Sequence, residues 1–189
     1  VTDGASQIDA LIGELRETSR RADALVTGHA TSQFLRRPGE GRWSAAECIE
    51  HLNLSNRCYL PRIEEALRVL REKKLAGSGP FRLNWNARLL KYWVVEPPSR
   101  LRLPTSKPFK PIKVSDAAAA FGEFESLNQK LEEQLDSARG LDLGGAKIVS
   151  PFAQNVKYSV YSAFVLIAAH NRRHLWQAEN ALRMNTMGR

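Results

Sequence analysis

Four stretches of this chain repeat apolar residues at the three-and-four spacing of an α-helix, and that periodicity restricts the possible folds more than any other feature. Ile8, Leu11, Ile12, Leu15, Ala22, Leu25 and Val26 mark one face of a first helix over roughly 6–26, with Gly28 suited to its exit. A loop holding His29, Pro38, Gly39 and Gly41 follows. The second helix has the clearest start. Ser44 and Glu47 form the Ser-x-x-Glu capping-box pattern, and Trp43 before the cap is placed to pack against Cys48. Ile49, Leu52, Tyr59, Ile63, Leu67 and Leu70 carry its buried stripe toward Leu75, and Pro61 is expected to kink it near 57–60. Gly77, Ser78, Gly79 and Pro80 end it.

A shorter helix is expected over 84–94, and the proline-rich stretch 97–113 reads as a long loop of the kind that covers a site or moves. Ser115 and Asp116 open a further helix with Ala117, Phe121, Phe124, Leu127, Leu131 and Leu135 on its stripe. Residues 148–152 read as short and extended around Pro151. The last helix is expected over 158–184, with Tyr161, Phe164, Ala168, Leu175, Ala178 and Leu182 on its core face. The sum is an all-α fold: one four-helix bundle with an additional short helix and long loops, forming a single domain over 1–189.

Composition narrows the function classes. No run approaches the ~18 apolar residues of a membrane span. The start is polar and acidic, unlike a cleavable signal peptide, and the cytoplasm is the expected compartment. Cys48 and Cys58, if on one helix, stand about 15 Å apart at ~1.5 Å per residue, too far for a disulfide. The net charge of +8 is thinly spread. Its densest region runs from Arg100 to Lys113, with no aromatic-rich RNA-binding signature or helix-turn-helix pattern, so nucleic acid is not the expected partner.

Chemistry concentrates in the histidines. His170 and His174 are spaced i, i+4, so both imidazoles leave one helical face with Cβ atoms roughly 5–6 Å apart. They lie in a row with Ile167, Gln177 and Ala181 at the border of the core. A third imidazole from His51 on a facing helix would complete a three-nitrogen set with coordination positions left open, the arrangement of a catalytic metal rather than a closed structural one. The plainer alternative is three hydrogen-bonded histidines beside a core. Imidazole suits Zn, Ni, Cu and Fe alike, so the residues alone do not choose the ion. Glu47, one turn before His51, and Gln177, after His174 on the same face, are candidates to orient the rings; the competing roles are capping-box partner and packing amide. His29 is expected in solvent, Cys48 and Cys58 in the core, and Trp43 and Trp176 as packing anchors. Arg172 and Arg173 are expected on a neighbouring solvated or dimer-facing surface, from which they could also meet an anionic substrate.

The run Trp-Ser-Ala-Ala-Glu-Cys-Ile-Glu-His-Leu at 43–52 resembles the Trp-Ser-x-x-Glu-x-x-x-His-Leu signature of the DinB-like superfamily, also called YfiT-like metalloenzymes. Ser-Pro-Phe at 150–152, the apolar run 160–169 and His-Asn-Arg-Arg-His-Leu-Trp-Gln at 170–177 resemble the end of the same domain, and the likeness spans nearly the whole chain. It implies a four-helix bundle with an unusual crossover and one divalent metal ion held by His51, His170 and His174, with Zn or Ni ahead of Fe or Mn. It further implies a homodimer acting on a small-molecule substrate. Thiol transferases that use a low-molecular-weight thiol such as bacillithiol or mycothiol, and isomerases dependent on such a thiol, are the activities it suggests. A thiol-dependent S-transferase acting on a small electrophile is the most concrete expectation. A metal-dependent hydrolase with the same ligands, and a non-catalytic metal- or ligand-binding stress-response protein, are the alternatives.

Overall fold

A computed structural model describes residues 3–97, 104–112 and 114–187. Asp3 accepts a hydrogen bond from the Ser6 N–H at 2.8 Å and opens α1 (Gly4–Thr27). The stretch after Gly28, expected to be loop, contains a short helix, α2 (Thr31–Leu35), anchored because Phe34 is buried in the core. Ser44 caps α3 (Ala45–Glu72) as its sequence pattern foretells. The Glu47 N–H donates to Ser44 Oγ at 3.1 Å and the Ser44 N–H donates to Glu47 at 2.8 Å.

α3 runs without a break through Pro61, where the sequence suggests a kink. Proline removes one backbone donor, but the flanking Tyr59, Ile63, Leu67 and Leu70 are all buried in one cluster that holds the helix in register. Burying each such aliphatic side chain contributes roughly 1.5–3 kcal/mol, enough to offset one lost hydrogen bond.

The expected short helix is realised in two pieces, α4 (Trp85–Leu90) and a π-turn over Lys91–Val95. Within the proline-rich stretch a 3₁₀ turn covers Lys107–Phe109. Residues 98–103 and Lys113, which include Arg100 and Arg102 of its basic run, lie outside the described residues. Asp116 caps α5 (Ala117–Ser137) by accepting from the Ala119 N–H at 3.0 Å. The extended reading of the segment after Gly145 becomes an antiparallel hairpin, β1 (Lys147–Val149) and β2 (Lys157–Ser159). Tyr158 therefore belongs to β2 rather than to the last helix, and α6 begins at Val160 and runs to Met187. The hydroxyls of Tyr158 and Tyr59, 2.7 Å apart in the core, tie the hairpin to α3.

α1 and α3 each pack against both α5 and α6. The order around the bundle is thus α1, α5, α3, α6, with α1 and α3 across one diagonal. Ion pairs Arg16–Glu132, Arg21–Glu179 and Arg57–Glu123 bridge three of these contacts. The core has two parts. One joins Ile63, Leu67 and Leu131 to the first turns of α6; the other joins Phe34, Ile49, Leu52 and Phe124 to Leu175 and Leu182. His170 and His174 fall between the two parts on α6, and His51 lies on α3 beside Ile49 and Leu52 of the second. Among the described residues no helix is long and apolar enough to cross a membrane.

Candidate metal centre

The rotation of α6 is set by a buried amide. Asn171 Nδ2 donates to Asn128 Oδ1 at 3.0 Å, and Asn128 Nδ2 in turn donates to the Thr18 and Ser19 hydroxyls at 3.2 and 3.0 Å. With Asn171 held toward α5 and α1, its neighbours His170 and His174 face α3, since successive helical residues turn by about 100°. Asn53 fixes α3 likewise, donating to the Ala120 carbonyl at 2.9 Å.

The three imidazoles converge. Ring centroids of His51 and His174 are 4.3 Å apart, those of His170 and His174 4.5 Å, and those of His51 and His170 5.1 Å. His51 Nε2 lies 3.3 Å from His170 Nε2, and one nitrogen from each ring falls within 4.8 Å of the other two. His51 and His174 are buried, and His170 is half-buried.

Their protonation follows from their surroundings. His51 Nδ1 is 2.6 Å from the Phe109 carbonyl oxygen, which can only accept, so Nδ1 carries the proton and Nε2 keeps its lone pair. Burial pushes the His51 pKa down to about 4; the Phe109 contact opposes the shift and the charge of Arg173 adds to it. His170 is held well below the ordinary histidine range by burial first, then by His51 and Arg173. His174 is lowered by burial, His170, His51 and Arg173, with Gln177 pulling the other way. All three rings are neutral at pH 7, the state a metal ligand requires.

The donor set fits a divalent cation. Among the described residues no carboxylate or thiol joins the cluster. His174 Nδ1 is buried, and Gln177, one turn further along α6, is the side chain that reaches toward the ring.

Aromatic rings enclose the cluster. Trp43 lies 5.0 Å from His51 and 6.0 Å from His174, centroid to centroid. Phe152 lies 5.5 Å from His170 and 4.4 Å from Phe109. The groove lined by Leu25, His29 and Leu182 and the one between α3 and the hairpin do not include these histidines. The reachable edge is that of His170, beside Phe152, which is 39% exposed.

The structure places the other candidate residues as follows. Glu47 is spent on the capping box and on Arg37, which binds both its oxygens, and does not touch the rings. Its carboxyl is pushed up by burial, but the Arg37 and Ser44 hydrogen bonds outweigh this and leave its pKa lowered. Trp43 faces the His51 and His174 rings rather than serving only as a staple over Cys48. Trp176, expected as an anchor, is 36% exposed. Cys48 is buried, Cys58 only half so, and both are free thiols. His29 is half-buried, its Nδ1 3.0 Å from the Leu25 carbonyl, not free in solvent. Arg172 is ion-paired with both Glu14 and Glu96. Arg173 sits close enough for its charge to act on all three histidines. Phe109 was missed altogether, since it lies in a proline-rich stretch whose periodicity points nowhere.

A bundle of this order, with three histidines gathered between α3 and α6, defines a class, and comparison with known proteins agrees. Residues 14–178 match the family model of the DinB superfamily, and the chain belongs to that superfamily. No curated protein matches it. Among solved structures it is similar to YfiT from Bacillus subtilis, described as a probable metal-dependent hydrolase with an unusual four-helix bundle topology. The two share a TM-score of 0.60 at 17% identity, over 96% of this chain and 87% of YfiT. At that identity the likeness speaks for the fold.

Proposed function

We propose that this protein is a metal-dependent enzyme in which His51, His170 and His174 hold one divalent ion, Zn or Ni ahead of Fe or Mn, and that it transfers a low-molecular-weight thiol to a small electrophile. One observation supports the metal site in this reading: three neutral imidazoles converge with no carboxylate among them, beside the positive charge of Arg173. A divalent ion bound there keeps its full charge and supplies Lewis acidity, lowering the pKa of the nucleophile it binds.

The chain's own residues do the rest. Phe109 fixes the His51 tautomer through its carbonyl. Trp43, Phe109 and Phe152 exclude bulk water and strengthen electrostatic interactions inside the site. Arg173 favours an anionic nucleophile and an anionic group on the substrate. In the transfer the thiol proton passes to solvent, the sulfur lone pair forms a bond to the electrophilic carbon, and the leaving group departs with its bonding pair. No base is needed beyond solvent, which suits a site where Glu47, one turn before His51, is occupied by Arg37 and Ser44. Hydrolysis is the second reading, favoured by the description of YfiT.

Protein reconstituted separately with Zn, Ni, Mn and Fe should be assayed for loss of free thiol in the presence of an alkyl halide or epoxide, and for cleavage of an activated ester without thiol. Metal-dependent thiol consumption that drops at least ~100-fold in His174→Ala supports the transferase. Metal-dependent ester cleavage with no thiol consumption selects the hydrolase. Neither activity with any ion removes the enzymatic reading.

A further inference from the structure

The two-stranded hairpin has two outer edges, and the molecule treats them differently. Ser150 N–H donates to the Val156 carbonyl at 2.8 Å and Val160 N–H to the Ala146 carbonyl at 3.1 Å. With Ile148 opposite Tyr158, these pairs set the alternation of an antiparallel ladder. The backbone groups of Lys157 and Ser159 therefore point out of β2, and those of Lys147 and Val149 point out of β1. The β2 edge is closed by side chains. Asn86 Nδ2 donates to the Lys157 carbonyl at 2.9 Å, and Ser159 N–H donates to Asn84 Oδ1 at 2.6 Å. At the β1 edge, no described residue bonds the outward N–H or C=O of Lys147 or Val149.

That edge forms one wall of an open groove of about 600 Å³. The opposite wall is a single face of α3, comprising Pro61, Arg62, Ala66, Val69 and Lys73. Its floor is apolar and its margins are basic, from Arg62, Lys73 and Lys147. Glu65, the acid among the lining residues, is paired with Arg68.

We infer that β1 accepts an extended acidic peptide segment as a third strand, seated in the groove between the hairpin and α3. A strand at the usual ~4.8 Å spacing would meet four unpaired backbone groups, the N–H and C=O of Lys147 and Val149. Its alternate side chains would meet Ala66 and Val69, and its carboxylates would meet Arg62, Lys73 and Lys147. The basic margins also decide between occupants. A second copy pairing edge to edge would bring two sets of these cations together, a like-charge arrangement that disfavours self-association. The binding is separate from the histidine cluster and does not depend on it.

The test uses the full chain and a fluorescent octapeptide of alternating Val and Glu, read by anisotropy at low and moderate salt. The peptide should bind, weaken as salt rises, and bind at least ~10-fold more tightly than its Val-Lys counterpart. N-methylation of alternate peptide nitrogens on the pairing edge should weaken it at least ~10-fold without any change to the protein. Val149→Pro should do the same from the protein side, because it deletes one outward N–H; if that variant misfolds, the N-methylated peptide still decides. No binding up to millimolar peptide, equal binding of the Val-Lys peptide, or indifference to N-methylation would each overturn the proposal. So would concentration-dependent dimerisation abolished by Val149→Pro, which would assign the edge to a second copy.

Discussion

His51 couples two parts of the chain that are far apart in sequence. One ring nitrogen is held by the backbone of Phe109, in the 3₁₀ turn before α5, and the other faces the α6 histidines. This division is how metal-binding imidazoles are commonly oriented. His174→Ala should abolish stoichiometric metal binding while far-UV circular dichroism stays near wild type, because the α6 core stripe of Phe164, Leu175 and Leu182 does not depend on that ring. Trp43→Ala should keep the stoichiometry but lower metal affinity about 10-fold, by freeing the His51 and His174 rings it packs against; titration against a competing chelator measures this. The i, i+4 spacing made His170 and His174 legible in the sequence, His51 on a facing helix supplied the third ring, and the family motif singles out the same three. Trp43 and Phe109 were not legible as site residues. A tryptophan before a cap has a sufficient local role, and a backbone carbonyl leaves no mark in a sequence.

The helices show how much of the architecture local rules carry. Ser44 and Glu47 cap α3 as their spacing dictates, and the long helices α1, α3, α5 and α6 follow their apolar stripes. Ser44→Ala should lower unfolding free energy by about 1 kcal/mol, with an unchanged denaturant slope. A larger loss would mean that Glu47, with its capping partner gone, also loses its hold on Arg37. α2, which went unread, and the β1–β2 hairpin, of which only an extended stretch at 148–152 was read, owe their form to contacts distant in sequence. Phe34 fills the core, and Tyr158 meets Tyr59 across 99 positions. Short segments of this kind carry too few residues for a periodic signal. Pro61 lies inside α3, which continues through it, so the proline does not end the helix.

At the scale of the whole molecule, the buried histidines link stability to pH. In the unfolded chain a histidine titrates near its ordinary value of about 6.5, whereas folded His51 titrates near 4. Between those values the unfolded state binds more protons, so stability is full above about pH 6.5 and is lost as pH falls toward 4. For His51 alone the span is on the order of 3 kcal/mol, and His170 and His174 are shifted in the same direction. Glu47, with its lowered pKa, adds a loss of the same sign at more acid pH. Metal-free protein should therefore melt progressively lower between pH 7 and pH 5. The rise in Tm on adding the ion should be largest near pH 7 and shrink with acid, as protons compete for the same nitrogens. A metal-free Tm that is flat over this range would mean that the rings are not held neutral by burial.

The most direct check on the metal centre is the metal content of purified wild-type protein and His51→Ala, side by side, by elemental mass spectrometry. About one divalent ion per chain in wild type, lost in the variant, is the expected result. No ion in either protein after reconstitution with Zn, Ni, Mn and Fe, or equal content in both, would contradict it and leave the three histidines as packing residues between α3 and α6.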